Sequence, residues 1–225
     1  LRGSRIIIGR DTRRSGEAIM RLLSSGISGM SAKWETYDCG VIPTPGLSFI
    51  TDHDDFDFGI MITASHNPWT DNGIKIFKGD GEKIPARLEK ELEEVFFNIG
   101  EPVEVDGTIE PVDHEVKDLY RNFLNNVASQ LDPLTIKGKG FKIVLDCANG
   151  ATFTEAPEIF KQAGFTLAVI NTTPDGKNIN RGCGSTDTSM LQQRVKEERA
   201  DLGIAFDGDG DRVIMVDPEG NILDG

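Results

Sequence analysis

Long apolar runs, paired cysteines and excess positive charge are all missing from this 225-residue sequence. No run approaches the ~18 apolar residues of a membrane-spanning helix, and no signal peptide is evident, so we expect no membrane partner. Cys39, Cys147 and Cys183 are too few and too widely spaced for a disulfide framework or a zinc site. We therefore predict buried thiols and a cytoplasmic location.

The charge balance is strongly acidic, with a formal net charge of −13. A nucleic-acid surface needs a basic patch, so nucleic acid is not an expected partner. A phosphorylated small molecule is still compatible, because a few local arginines and lysines can hold a phosphate on an acidic protein. With 38% hydrophobic and 27% charged residues, the chain has the composition of one large or two ordinary globular domains.

Strand-like and helix-like segments alternate along the chain, and the series restarts near its middle. Runs such as "SRIIIG", "FDFGIMIT", "FKIVLD" and "ADLGIAF" are typical of buried strands, and the segments between them have helical periodicity. This alternation predicts an α/β fold with helices on both faces of each sheet. We expect two similar three-layer α/β/α domains with mixed, largely parallel sheets, covering residues 1–113 and 114–225.

Local signals give three more specific expectations. Two prolines, at positions 43 and 45, should stop the strand "KWETYDCGVI". Residues 100–113, rich in glycine, proline and acid, are expected to form a loop. The helix "PARLEKELEEVFF" should carry its proline in the first turn and face the core with one apolar stripe. That inward stripe consists of Leu88, Leu92, Val95 and Phe96.

The two halves resemble each other weakly. The segments "FDFGIMITASHN" and "ADLGIAFDGDGD" align without a gap, which matches Gly59 to Gly203 and Ser65 to Asp209. A chance match of short α/β units is the alternative. If the repeat is genuine, the loops "TASHNP" and "DGDGDR" occupy equivalent positions at the carboxyl ends of strands, where open α/β sheets bind ligands.

The segment "DGDGDR" carries three carboxylates at alternate positions. Asp207, Asp209 and Asp211 can converge on one hard cation, because the intervening glycines let the backbone fold tightly. An EF-hand calcium loop is excluded, since its sixth position would be Arg212 and its twelfth Pro218. A solvated acidic turn remains the alternative.

The segment "TASHNP" places Ser65 beside His66 after a strand. The Gly-x-Ser-x-Gly motif is absent, and adjacent side chains in an extended loop point apart, so a Ser–His triad is not expected. Lys75, ten residues further on, could serve a phosphate, or move a proton if its pKa is lowered. An ordinary exposed strand lysine is the alternative.

Two arginines follow another strand end. Arg10 and Arg13 in "GRDTR" suit anion binding. Asp11 between them could instead form a local ion pair with either one.

Taken together, these motifs resemble the α-D-phosphohexomutase family. The matching segments, in the family's order and spacing, are "GRDTR" at 9–13, "TASHNP" at 63–68, "DNGIK" at 71–75, "DCANGA" at 146–151 and "DGDGDR" at 207–212. Within the family, "PDGKNINRGCGST" is most like the bacterial phosphoglucosamine mutases. The resemblance covers only the first two of the family's four domains, and the N-terminal arginine loop also has no counterpart.

The resemblance implies a role for both loops. Ser65 would be a phosphoserine that gives a phosphate to a sugar and takes one back. Asp207, Asp209 and Asp211 would hold Mg²⁺ against that phosphate, with Arg212 as a further cation beside it. The metal would draw charge away from the group in transfer.

The resemblance also implies which groups meet the substrate. Lys75 and His66 would handle the proton of the sugar hydroxyl, and Arg10 and Asn67 would bind phosphate. The expected reaction converts glucosamine 6-phosphate to glucosamine 1-phosphate through a sugar 1,6-bisphosphate, which serves as intermediate and activator.

The missing domains leave alternatives open. The expected partners are a small phosphorylated sugar and the third and fourth domains, and a homodimer is compatible with the resemblance. The two domains alone are expected to be inactive in turnover. A phosphomannomutase or phosphoglucomutase is the main alternative, followed by a catalytically silent phosphosugar- or metal-binding module. A metal-dependent hydrolase would need a water-activating base near the metal, and none is evident.

Overall fold

The computed structural model describes residues 4–30, 33–98, 109–130 and 140–223. Two five-stranded sheets organise these residues, one in each half of the chain. The strands of the first half are β1 (Arg5–Arg10), β2 (Glu35–Val41), β3 (Phe58–Ile62), β4 (Ile74–Lys78) and β5 (Glu110–Pro111). Those of the second half are β6 (Lys142–Asp146), β7 (Thr166–Ile170), β8 (Leu202–Phe206), β9 (Val213–Val216) and β10 (Ile222–Leu223).

The described helices connect these strands and cover the sheets. In the first half they are α1 (Gly16–Met30), α2 (Thr44–His53) and α3 (Ala86–Asn98). Those that follow are α4 (His114–Ser129), α5 (Glu155–Gln162) and α6 (Ser189–Glu198), with a short 3₁₀ turn at Gly184–Thr186. None of them combines the length and the apolar character that crossing a membrane requires.

Four strands of each sheet share one arrangement, and the fifth differs: β5 lies beside β2 in the first sheet, whereas β10 lies beside β9 in the second. β1 lies between β2 and β3, parallel to both, and β4 runs antiparallel to β3. β6 likewise lies between β7 and β8, parallel to both, and β9 runs antiparallel to β8. The predicted repeat is therefore confirmed, because "TASHNP" follows β3 and "DGDGDR" follows β8, the equivalent strand. The predicted mixed sheets are confirmed as well: the first is largely parallel, whereas the second has two parallel and two antiparallel strand pairings.

The central strands of each sheet are buried on both faces, as expected for parallel strands covered by helices. Along β1, Ile7 packs on one face with Leu47 of α2, whereas Ile6 and Ile8 pack on the other with Met20 of α1. The second sheet repeats this arrangement with α6 on one face and α5 on the other. This alternation explains why the strands read as continuous apolar runs.

The helix α2 was not predicted from the sequence. The two prolines do end the second strand, at Val41, but they also start a helix, since proline fits the first helical turn. The strand β4 was missed too, because "IKIFK" is short and its β character emerges only from antiparallel pairing with β3.

The prediction for α3 was wrong about its buried face. The four apolar residues expected to face the core are 42–71% exposed, and α3 buries no side chain among the described residues. Periodicity fixes which side chains share a helix face, but the neighbouring elements decide whether that face is covered. Part of the predicted loop, Glu110–Pro111, is strand β5; residues 100–108 lie outside the described ranges.

The helix α4 contacts both halves of the chain. Val116 and Tyr120 pack on the core of the first sheet, whereas Arg121 donates to both carboxylate oxygens of Glu155 on α5 at 3.0 and 2.7 Å. The predicted boundary at residue 113 falls just before this helix and stays a prediction.

The three cysteines are free and buried, as predicted. Burial raises the pKa of each thiol to about 12, so all three stay protonated and unreactive at neutral pH.

Candidate functional site

The serine loop and the acidic loop meet at the boundary between the two halves. Ser65 follows β3 and Asp207 follows β8, and the Ser65 hydroxyl donates to Asp207 Oδ2 at 2.6 Å. Both residues are buried, at 9% and 0% exposure. The structure thus brings together two residues 142 positions apart in sequence, as the resemblance implied.

Ser65 adopts a backbone conformation that favours glycine. Its φ is +51°, in the left-handed region, which is uncommon for a residue with a side chain. Its N–H donates to the Thr63 hydroxyl at 2.8 Å, and that hydroxyl donates to Asp11 Oδ2 at 2.7 Å. Such strain persists only where surrounding contacts hold it, and it clusters at functional sites.

Arg13 supplies most of those contacts. Its guanidinium is fully buried, pairs with Asp11 at 2.9 Å and donates to the carbonyl oxygens of four residues within the segment 65–71. These residues are Ser65 at 2.9 Å, Asn67 at 2.8 Å, Asp71 at 2.9 Å, and Pro68. Its five N–H groups are all engaged, so the expectation that Arg13 binds a free anion is wrong. The local ion pair with Asp11 is present instead.

The three aspartates of the acidic loop converge, as predicted. Carboxylate oxygens of Asp207, Asp209 and Asp211 all lie within 4.8 Å of one another, with the first two residues buried and the third exposed. Asp207 Oδ1 also accepts the backbone N–H groups of Asp211 and Arg212, both at 3.2 Å. A solvated acidic turn does not bury two carboxylates side by side, so that alternative is excluded.

Burial and neighbouring charge set the protonation of this cluster. Burial, together with the like charges of Asp209 and Asp211, raises the pKa of Asp207 to about 6 despite the Ser65 hydrogen bond. Burial also opposes ionisation of Asp209, but hydrogen bonds from Lys75 and Thr44 outweigh it and lower its pKa. Two adjacent buried carboxylates with opposite shifts are typical of a functional site.

Lys75, which belongs to the first half of the chain, neutralises part of the negative charge of the acidic loop. Its ammonium donates to Asp209 Oδ2 at 2.6 Å and to Asp211 Oδ2 at 2.8 Å. Burial acts to lower the pKa of Lys75, but these two hydrogen bonds prevail and raise it. The lowered pKa that a proton acceptor needs is therefore not found in this arrangement.

The residues present fit a divalent cation. Asp209 Oδ1 is buried and accepts no hydrogen bond within the described part of the chain, which leaves one anionic oxygen free for a ligand. Three carboxylates with no nitrogen or sulfur donor suit a hard cation such as Mg²⁺. The Thr44 hydroxyl donates to Asp209 Oδ2, and its N–H donates to the Asp209 carbonyl at 2.8 Å, so α2 helps to orient this carboxylate.

The other predicted residues lie at varying distances from this centre. The Arg10 guanidinium donates to Asp38 at 2.8 Å. His66 and Asn67 are exposed on the serine loop, and the Asn67 amide donates to Asp71 at 3.1 Å. Arg212 is exposed beside Asp211, at 3.8 Å. The catalytic and phosphate-binding roles assigned to these four residues stay predictions.

Several contacts between the halves were not predicted from the sequence. Thr44 reaches the acidic loop, Thr12 donates to the Asn149 carbonyl at 2.5 Å, and Asn180 donates to the Ser65 carbonyl at 2.8 Å. The only signal was that Asn149 and Asn180 lie inside "DCANGA" and "PDGKNINRGCGST". Neither motif indicated which atoms would be bound.

Two family models match the chain, both described as phosphoglucomutase/phosphomannomutase. The alpha/beta/alpha domain I model matches residues 1–102, and the domain II model matches residues 121–220. The chain belongs to this phosphohexomutase family. The matched segments include the serine loop in domain I and the acidic loop in domain II.

Relatives of the chain within the phosphohexomutases include curated proteins named phosphoglucosamine mutase. Those from Deinococcus deserti and Caldicellulosiruptor bescii are 43% and 42% identical over 99% and 98% of this chain, and 49% of each relative is covered. A solved phosphoglucomutase/phosphomannomutase family structure from Burkholderia thailandensis has 26% identity and a TM-score of 0.76, covering 98% of this chain and 48% of that one. The chain thus spans about half the length of the curated relatives it matches.

Proposed function

We propose that this chain forms the phosphate-transferring half of a phosphosugar mutase that interconverts glucosamine 6-phosphate and glucosamine 1-phosphate. The observation that carries the proposal is the buried Ser65 hydroxyl directed at three converging carboxylates. The names of the curated relatives support the amino sugar as substrate.

In the proposed reaction Ser65 carries the phosphate between two positions of the sugar. The bond between phosphorus and Ser65 Oγ breaks as a bond forms to the sugar O1 or O6. The sugar hydroxyl loses one proton and Ser65 Oγ gains one, which gives a sugar 1,6-bisphosphate and a free serine. The bisphosphate then reorients and returns its other phosphate to Ser65.

The acidic loop is the proposed magnesium site. Asp207, Asp209 and Asp211 would ligate the ion together with the Ser65 phosphate, and the bound ion would offset the charge of the phosphoryl group. Without a phosphate, Ser65 donates its hydrogen bond to Asp207, so this contact corresponds to the dephosphorylated serine.

Lys75 and Arg212 are the proposed cationic residues around the transferring group. Lys75 is protonated in this arrangement, so it is set up to donate a proton to an oxygen or to bind phosphate. Its carboxylate partners are the proposed metal ligands, so metal binding would free the ammonium for substrate. His66, exposed on the serine loop, is proposed as a supporting proton carrier, with Asn67 and Arg10 as phosphate ligands.

The proposal extends to the parent enzyme. We infer that two further domains select the sugar and hold its second phosphate, that this chain alone does not turn over, and that the enzyme is cytoplasmic, a location that free buried cysteines suit. A homodimer stays a prediction. The name of the Burkholderia thailandensis structure favours a phosphomannomutase or phosphoglucomutase as the second candidate.

The first test is phosphate loading of Ser65. The chain is incubated with Mg²⁺ and glucosamine 1,6-bisphosphate, and peptides are examined by mass spectrometry. We expect one phosphate on the Ser65 peptide, none in Ser65→Ala, and unchanged loading in Ser48→Ala, a half-buried control serine. Absence of phosphate from Ser65 here and in a freshly isolated parent enzyme would contradict the mechanism.

The second test concerns the sugar. The parent enzyme is assayed with glucosamine, glucose and mannose 6-phosphates, and we expect the glucosamine compound to give the highest kcat/KM. Equal values for all three would overturn the substrate assignment while leaving the phosphoserine mechanism intact.

A further inference from the structure

We propose that Asn180 is a positioning residue for the serine loop: from the second domain it holds the backbone carbonyl that fixes the conformation of Ser65. This inference rests on the proposed function only where it concerns phosphate transfer. The contact itself is independent of that function.

The Asn180 side chain is committed to the serine loop. Its amide nitrogen donates to the Ser65 carbonyl at 2.8 Å and to the Asn67 carbonyl at 3.3 Å. Its amide oxygen is buried and accepts no hydrogen bond within the described residues. An asparagine normally uses both ends, so an unused oxygen indicates that the two donated bonds determine how this side chain is placed.

The Ser65 carbonyl needs such a donor because Ser65 is in the left-handed region. A left-handed residue redirects its peptide group, and that orientation costs free energy unless other contacts hold it. The carbonyl accepts Arg13 Nη2 from the first domain at 2.9 Å and the Asn180 amide from the second at 2.8 Å. Two donors from different domains thereby fix one peptide group and, through it, the direction of the hydroxyl.

The backbone of Asn180 is itself firmly held. Its φ is +57°, and its N–H donates to the Ala148 carbonyl at 2.9 Å. Ala148 and Asn149 are also left-handed, at +54° and +49°, and Thr12 of the first domain donates to the Asn149 carbonyl. The Ala148 carbonyl, within the "DCANGA" motif, is therefore the contact that holds the Asn180 backbone.

The first experiment measures loop opening by hydrogen–deuterium exchange of this chain. Asn180→Gly removes the amide without backbone strain, because glycine accepts a positive φ. Asn180→Asp keeps the shape but turns carboxylate oxygens toward two carbonyls. We expect exchange in residues 64–71 to rise about tenfold in the glycine variant and more in the aspartate variant, with residues 142–146 unchanged.

The matched control is Arg199→Gly. Arg199 is also a left-handed residue of the second domain, at φ +48°, and its exposed side chain lies at the end of α6 and not at the serine loop. We expect no change in exchange of residues 64–71. Equal exchange there in wild type and both Asn180 variants, or an equal rise in the control, would overturn the proposal.

The second experiment compares rates of Ser65 phosphate loading from glucosamine 1,6-bisphosphate. We expect loading in Asn180→Gly to be about tenfold slower at an unchanged melting temperature, with Arg199→Gly loading at the wild-type rate. If Ser65 takes no phosphate in wild type, either in this chain or in the parent enzyme, the proposed function fails while the exchange measurement still decides the role of Asn180. If wild type loads and Asn180→Gly loads equally fast, the positioning role fails alone.

Discussion

At the scale of single residues, Asp207 shows how a carboxylate of the candidate site lowers the stability of the folded chain. It is buried beside two other carboxylates, and its pKa is raised from 3.8 to about 6. Because the folded-state pKa lies above the unfolded one, the folded chain binds more protons between these values. The stability that Asp207 contributes therefore falls as pH rises through that window.

We expect Asp207→Asn to stabilise the chain in magnesium-free solution. At neutral pH the free energy of unfolding should rise by about 1–3 kcal/mol, since the substitution removes a buried like charge. The stability loss between pH 4 and 6 should shrink accordingly. Urea denaturation at several pH values measures this, with the exposed Glu219→Gln as a control for net charge. A destabilised Asp207→Asn would show that repulsion is not the dominant interaction there.

The contribution of Arg13 to stability depends on the shape of its guanidinium group as well as on its charge. We expect Arg13→Lys to destabilise the chain by about 1–3 kcal/mol, because lysine has three donors and cannot bind Asp11 and four carbonyls together. The neighbouring Arg14→Lys, whose side chain is exposed, should change stability by less than about 0.5 kcal/mol. Thermal denaturation compares the two, and equal effects would show that only the positive charge matters.

At the scale of helices and strands, two equivalent glycines bring helices close to the sheets. A Cβ on Gly59 of β3 would collide with Thr51 of α2, and one on Gly203 of β8 would lie 2.6 Å from Val195 of α6. The two halves therefore share a packing feature. In each, the strand that leads into a loop of the candidate site packs so closely against a helix that only glycine fits between them.

We expect Gly59→Ala and Gly203→Ala each to destabilise the chain by about 1–3 kcal/mol, because the added methyl group forces a packed helix outward. Gly26→Ala in α1 is the control: it has open space around it, and alanine favours the helix by about 0.5–1 kcal/mol. Chemical denaturation of the three variants measures these differences. A neutral effect at one glycine alone would show that the two packing sites are not equivalent.

At the scale of the whole molecule, the site exists only where the two domains meet. Ser65 and Lys75 come from the first, the three aspartates from the second, and Thr44 joins them. A cation that neutralises the acidic loop should therefore stabilise the assembled chain.

Mg²⁺ should raise the melting temperature of wild type, because it binds the folded site and not the unfolded chain. At a concentration 100-fold above its Kd, the stabilisation should be about 2.7 kcal/mol. Asp209→Asn should lose this response, whereas Asp217→Asn, in an exposed turn outside the site, should keep it. Calorimetry at constant ionic strength measures the shift, and an equal response in Asp209→Asn would place the ion elsewhere.

Much of this organisation could be predicted from local sequence. Patterns no longer than about ten residues predicted the strands around Ile7 and Val144 and the equivalence of Gly59 and Gly203. A pattern of the same length predicted that the three aspartates converge. Helix α2 and the exposed face of α3 could not be predicted in the same way. Whether these segments form a helix, and which helix face is buried, depends on the residues distant in sequence that pack against them.

The sequence by itself determined the α/β class, the doubled topology and the chemistry of both loops, because residue type and spacing set apolar periodicity and carboxylate density. Only the tertiary structure decided that Arg13 is a structural clamp, that Lys75 is protonated against the acidic loop, and that Asn180 reaches Ser65. Those outcomes depend on burial and on atoms brought within 3 Å across 52 residues of sequence for Arg13 and Ser65, 115 for Asn180 and Ser65, and 134 for Lys75 and Asp209, which no local pattern encodes.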